Sequence, residues 1–284
     1  MDRAALYAVL LLLLAAAAAA LWLFLRSRRR PRLRRLRRVP SHPRLPVVLV
    51  HGLFGFEEIG VGRSRHAYFR GVRAALEKDG HLVRVARVAA VGTIAARAEA
   101  LARCVEEVEA RRVNLVAHSM GGLDARWAIA RLGLRRRVGA IVTVGTPHLG
   151  TPLADLSAHL AARLGLERAL AVGGVSLDAF HDLTTARMAR FDEEAPDARG
   201  VAYASVVGTV RRVRGTNPLL VPGYLWLEGR AGPNDGVVPA ASQRWGEVLA
   251  EVEADHWAQI GWSRHFDAVA FYLGLLRELR AMGF

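Results

Sequence analysis

Ser119 stands in the run Val113-Asn114-Leu115-Val116-Ala117-His118-Ser119-Met120-Gly121-Gly122, which reads as strand, sharp turn, helix. A serine hydroxyl attacks carbonyl carbon only when a base removes its proton and the turn exposes it. Such a turn brings strand and helix backbones close together, so the residues two before and two after the serine must be small. Ala117 and Gly121 meet that demand, with alanine standing where the common Gly-x-Ser-x-Gly pattern has its first glycine. The N-terminus of the following helix aims amide groups at the charge that develops on the attacked oxygen.

His51-Gly52-Leu53-Phe54-Gly55 directly follows a buried aliphatic run. A glycine-bearing loop here can present the Leu53 amide toward the nucleophile. With the Met120 amide it makes a two-donor oxyanion hole. One donor of this kind is worth about 3–4 kcal/mol of transition-state stabilisation.

A serine nucleophile of this sheet type is followed in the chain by an acid and then a histidine. Asp235 lies in the turn Gly232-Pro233-Asn234-Asp235-Gly236, before Val237-Val238 and after a long loop. Among the ten histidines, His256 lies on a loop after the last expected strand. His265 falls inside a helical pattern, and His118 and His148 come too early in chain order. Asp235 would accept the imidazole N–H and fix its tautomer, and His256 would take the Ser119 proton. Asp255 adjoins His256 in sequence, but adjacent side chains seldom align as acid and base, so it reads as a surface charge.

The elements that must position these groups alternate. Val47–Val50, Val113–Ala117 and Val138–Val144 are continuous aliphatic runs, expected for strands covered on both faces. Leu82–Val88, Val201–Val207 and Val248–Val252 supply further strands. Helical patterns fill Tyr68–Lys78, Thr93–Arg111 with Thr93 as N-cap, Leu123–Leu132 and Phe266–Ala281. This order predicts an α/β class with a mostly parallel sheet and helices on both faces. The alternation pauses over about residues 151–190, where a helical lid insertion is expected. Its leucines, including Leu153, Leu156, Leu160, Leu164 and Leu166, fit either a core-facing helix or an apolar face that opens toward lipid.

Ahead of this domain, assigned to residues 46–284, Ala4 to Leu25 carries no charge. That length matches the ~30 Å bilayer core and favours an uncleaved transmembrane anchor at residues 1–25 over a signal peptide. Residues 26–45 read as an Arg/Pro-rich linker, with ten arginines and no acid from Arg26 to Arg44. The net charge of +14 is therefore misleading: from Leu45 onward 29 basic residues face 25 acidic ones. No nucleic-acid partner is implied. Arginines beside an apolar span act as orientation and anionic-lipid signals. They predict a single-pass inner-membrane protein with a cytoplasmic catalytic domain, the alternative being a secreted or periplasmic protein after signal cleavage. Cys104 is the sole cysteine, so no intramolecular disulfide can form.

These stretches resemble the bacterial true lipases of the Pseudomonas and Burkholderia type, within the α/β-hydrolase superfamily. The resemblance runs over about residues 46–280. It is carried by Val50–Phe56, Asn114–Arg126, Thr143–Gly150, Ser176-Leu177-Asp178, Leu183-Thr184-Thr185, Phe191, Asn234–Pro239 and His256. It implies a carboxylic ester hydrolase acting on lipids or small esters, with Ser119, Asp235 and His256 as triad and Leu53 and Met120 at the oxyanion. The same triad would serve a membrane-associated phospholipase or acyltransferase, while a non-catalytic scaffold would be expected to have lost part of it. The family's structural calcium is expected to be absent, leaving no metal or cofactor: Ala258 stands at one aspartate ligand position, and no acid occurs at Gly215–Asn217 where the other falls. The family disulfide is impossible, and the lid segment is short.

Overall fold

Buried β-branched runs set the sheet. Residues 45–55, 58–61, 64–164, 178–263 and 265–284 are described by a computed structural model. The strands are β1 (Val47–Val50), β2 (Glu58–Val61), β3 (Ser64–Ala67), β4 (Val83–Val85), β5 (Val113–His118), β6 (Val138–Val144), β7 (Ala202–Thr209) and β8 (Glu247–Glu253). Six of them form one sheet in the order β4-β1-β5-β6-β7-β8, and every neighbouring pair is parallel. Every residue of β1, β5 and β6 is buried, as their unbroken aliphatic runs require. β2 and β3 form a separate antiparallel pair.

The chain moves outward from β1 to β4, then crosses back to place β5 on the other side of β1. The carboxyl ends of β1 and β5 thus flank the point where strand order reverses, which is where open α/β sheets hold their ligands. The register Val50↔Ala117 brings the His51–Gly55 loop alongside the Ser119 turn.

Helix Ile94–Glu106 and helix Gly121–Arg131 pack on the sheet through Ala98, Leu101, Val105, Ala125, Ala128 and Ile129. Thr93 caps the first, its hydroxyl accepting the Ala96 amide hydrogen at 3.2 Å. That helix ends at Glu106 instead of the expected Arg111. The Arg137 guanidinium takes the carbonyls of Val105, Val108 and Ala110 at 3.1, 2.9 and 3.0 Å, so a tertiary donor ends a pattern that local periodicity would continue.

The expected insertion holds helix Pro152–Leu164 and the short helices Asp178–Asp182, Thr185–Met188 and Phe191–Glu194. Ala154, Ala179, Leu183, Met188 and Phe191 bury against Met120 and Leu123, so these parts belong to the body of the domain. Leu160 on helix Pro152–Leu164 is 44% exposed. Three expectations are corrected. The stretch before Asp235 is not a long loop but contains helix Val221–Ala231, whose Pro222 is allowed in the first turn. His265 lies before the last helix, Ala268–Ala281, which Asp267 caps. Asp255 is 4% exposed and is no surface charge.

The expected span at residues 1–25, the linker up to residue 44 and lid residues 165–177 lie outside the described residues. Among the described residues, no helix is long and apolar enough to cross a membrane.

Candidate active site

Ser119 has φ 55°, a left-handed conformation that a non-glycine residue adopts at a cost of about 1–3 kcal/mol. The tight turn enforces it. A Cβ on Gly121 would lie 2.7 Å from the His51 carbonyl oxygen and 2.8 Å from that of Val50, so only glycine allows β1 this close to the start of the helix. The Ser119 amide donates to the Val144 carbonyl at 2.9 Å, and its carbonyl accepts from the Thr146 hydroxyl at 2.8 Å.

The structure brings Ser119, His256 and Asp235 together from the ends of β5, β8 and the segment after β7. His256 Nε2 is 3.0 Å from Ser119 Oγ, and His256 Nδ1 is 2.7 Å from Asp235 Oδ2. The Asp235 backbone carbonyl also accepts the His256 amide at 2.9 Å. Asp235 is fully buried, and its other oxygen accepts from the Val237 and Val238 amides at 3.0 and 2.8 Å. With Nδ1–H held by a carboxylate, Nε2 faces the serine as an acceptor.

Leu53 occupies a turn closed by the Gly55 amide on the Gly52 carbonyl at 3.1 Å, with Phe54 at φ 54°. A Cβ on the preceding Gly52 would lie 2.7 Å from Ser119 Cβ, so this turn abuts Ser119. Met120 is fully buried at the start of helix Gly121–Arg131. Among the described residues, neither the Leu53 nor the Met120 amide donates to a protein acceptor.

Four further residues join the site that sequence order alone did not single out. Gln259 donates to Asp235 Oδ2 at 3.0 Å, beside the histidine. Asp255 accepts the Trp257 and Ala258 amides on one oxygen at 3.0 and 2.7 Å, and the Asn217 amide on the other at 2.9 Å. Tyr68 and His118 fill the space behind His256, whose ring centroid is 4.5 Å from that of His118. Burial, then the neighbouring His256, holds His118 well below the ordinary imidazole range. Burial likewise pushes His51 down to about 4.

The calcium implied for the lipase resemblance does not fit these residues. Ala258 offers no carboxylate, and both oxygens of Asp255 are already engaged by amides. Among the described residues, no cluster of three or more His, Cys, Asp or Glu could hold a metal ion.

Residues 88–172 match the family described as PGAP1-like alpha/beta domain. Triacylglycerol lipase 2 of Saccharomyces cerevisiae is 32% identical over 246 residues, covering 76% of this chain and 74% of that protein. The chain belongs to the triacylglycerol lipase family. Another family member, the triacylglycerol lipase of Pseudomonas fragi, is 29% identical, with 84% of this chain and 97% of that protein covered. The crystal structure of a mature Bacillus licheniformis lipase superposes with a TM-score of 0.66 at 25% identity, covering 83% of this chain and 94% of that one. This lipase-family chain has the α/β-hydrolase fold and is a carboxylic ester hydrolase.

Proposed function

We propose that this enzyme cleaves carboxylic esters of lipids through an acyl-enzyme on Ser119. The observation that carries the reading is the unbroken line from Ser119 Oγ through His256 to Asp235, at 3.0 and 2.7 Å. His256 Nε2 takes the serine proton as Ser119 Oγ attacks the ester carbonyl. The Leu53 and Met120 amides hold the oxyanion. His256 then protonates the departing alcohol, and water releases the acid by the reverse roles.

The apolar stretch Ala4–Leu25 and the arginines of residues 26–44 would hold the enzyme at an inner membrane, with lipid esters as substrates and the catalytic domain in the cytoplasm. Ser119→Ala in folded protein is expected to abolish p-nitrophenyl butyrate hydrolysis and labelling by a fluorophosphonate; activity near wild type would end the assignment. Product analysis with and without an added alcohol separates hydrolysis from acyl transfer.

A further inference from the structure

Behind the triad, three buried hydrogen bonds join the turn before Leu53 to the loop that carries His256. The Gly52 amide donates to Tyr68 Oη at 3.1 Å. Tyr68 Oη lies 2.7 Å from His118 Nδ1, and His118 Nε2 lies 3.0 Å from the His256 carbonyl oxygen. His118 ends β5 and His256 lies on the loop after β8, 138 residues apart in the chain.

The proton positions along this line follow from the groups themselves. A carbonyl only accepts, so His118 Nε2 carries hydrogen. In the neutral ring, Nδ1 is then an acceptor, and Tyr68 must donate its hydroxyl hydrogen to it. Tyr68 Oη is thereby left to accept from Gly52. Donors and acceptors alternate along the whole line with one consistent direction. Protonating His118 would make Nδ1 a donor and turn the Tyr68 hydroxyl hydrogen out of the line, so the single direction described here belongs to the neutral ring.

We infer that Tyr68 and His118 are positioning residues, which tie the oxyanion turn to the histidine loop through the residue before the nucleophile. The inference rests on the ester-hydrolase reading above. Its chemical consequence is specific. The Leu53 amide and the general base sit on the loops after β1 and β8, at different places in the sheet, and productive geometry tolerates about 0.5 Å of drift between them. The bridge sets that spacing directly, independent of substrate binding. Two flanking contacts hold Tyr68 itself in place: the Trp262 indole donates to the Tyr68 carbonyl at 2.7 Å, and the Arg70 amide donates to the Ile260 carbonyl at 2.9 Å.

The test compares Tyr68→Phe, His118→Asn and the double variant in the full-length protein. Asn keeps an acceptor near the Tyr68 hydroxyl but cannot reach the His256 carbonyl. The readouts are kcat and KM on p-nitrophenyl butyrate, the Ki of an alkyl boronic acid that mimics the tetrahedral intermediate, and Tm. Misplaced donors cost transition-state binding more than ground-state binding, so each single variant is expected to lose about tenfold or more in kcat with KM within about twofold. Boronate affinity falls in proportion to kcat. The double variant is no slower than the worse single one, because both substitutions cut one line. A Tyr68→Phe enzyme with kcat within twofold of wild type overturns the bridge. Boronate affinity that stays constant while kcat falls, or losses that multiply in the double variant, overturn it equally. Fluorophosphonate labelling of wild type, abolished by Ser119→Ala, establishes the nucleophile separately, so failure of the bridge is distinguishable from failure of the hydrolase reading.

Discussion

Asn217 donates its amide hydrogen across 2.9 Å to the carboxylate of Asp255, the residue immediately before His256. The same carboxylate takes two amides of its own loop, from Trp257 and Ala258. One side chain therefore fastens the loop after β7 to the histidine loop and shapes the histidine loop itself. Asp255→Ala leaves three amides without their acceptor. The expected cost is about 2–4 kcal/mol of stability, read from urea denaturation, with a several-fold loss of kcat. Asp255→Asn is expected to do nearly as much harm, because its amide group must face a donor. Unchanged stability in both variants would show that the fastening is idle.

This residue also marks the limit of what the sequence disclosed. The parallel strands were legible because β1, β5 and β6 are aliphatic throughout, and the fold's chain order selected Ser119, Asp235 and His256. Asp255 was not legible, since its partner Asn217 lies 38 residues away and nothing in either segment signals the meeting. Helix Val221–Ala231 stayed hidden behind Pro222, Gly223 and Gly229, which read locally as breakers. Tyr68 and His118 carry no spacing signal at all: a buried hydrogen bond across 50 residues is a product of the tertiary fold.

Gly52 offers a steric test of how closely the turn before Leu53 sits against Ser119. An added methyl would lie 2.7 Å from Ser119 Cβ, 3.0 Å from Tyr68 Oη and 3.2 Å from the His118 carbonyl oxygen. These atoms belong to Ser119 and to the two residues that tie its turn to the His256 loop, so relieving the strain displaces Ser119 or that bridge. Gly52→Ala is expected to lower kcat by about 100-fold, comparable to losing an oxyanion donor, while the protein remains folded by circular dichroism. Wild-type kcat in this variant would mean that the turn has slack the structure does not show.

Stability should fall on mild acidification. His51, His118 and His148 are buried and stay neutral in the folded protein, His51 with a pKa of about 4 and the other two well below the ordinary value. For His148, burial is reinforced by the nearby Arg126. In the unfolded chain all three take up protons near pH 6.5, so below that pH unfolding binds protons and stability drops as pH falls. Asp124 works in the opposite sense, because burial, outweighing Arg97, raises it to about 7, and unfolding releases its proton over the same range. Three protons taken up against one released makes stability fall as pH drops below about 6.5, and the carboxyls of Asp182, Asp197 and Asp255, also raised by burial, soften the fall at the acid end. Urea midpoints at pH 7.0, 6.0 and 5.5 measure it, and a stability that is flat or rises toward pH 5.5 would contradict neutral burial of the three rings.

Arg97 separates stability from activity. Its guanidinium is fully buried and donates to Asp124 Oδ2 at 2.9 and 2.8 Å, to the His51 carbonyl at 2.8 Å and to the Ala89 carbonyl. Arg97→Met strands the Asp124 carboxylate in the interior, at an expected cost of about 3–5 kcal/mol. Asp124 Oδ1 already has no partner among the described residues, so the pair is incompletely satisfied as it stands. Replacing both members, as Arg97→Met with Asp124→Leu, removes the buried charges together and is expected to restore most of the lost stability. It does not restore the donor to His51, which begins the loop that bears Leu53. The double variant is therefore expected to melt near wild type yet hydrolyse p-nitrophenyl butyrate at least several-fold more slowly. Recovery of kcat together with Tm would show that Arg97 serves only its ion pair and that the His51 carbonyl needs no tether.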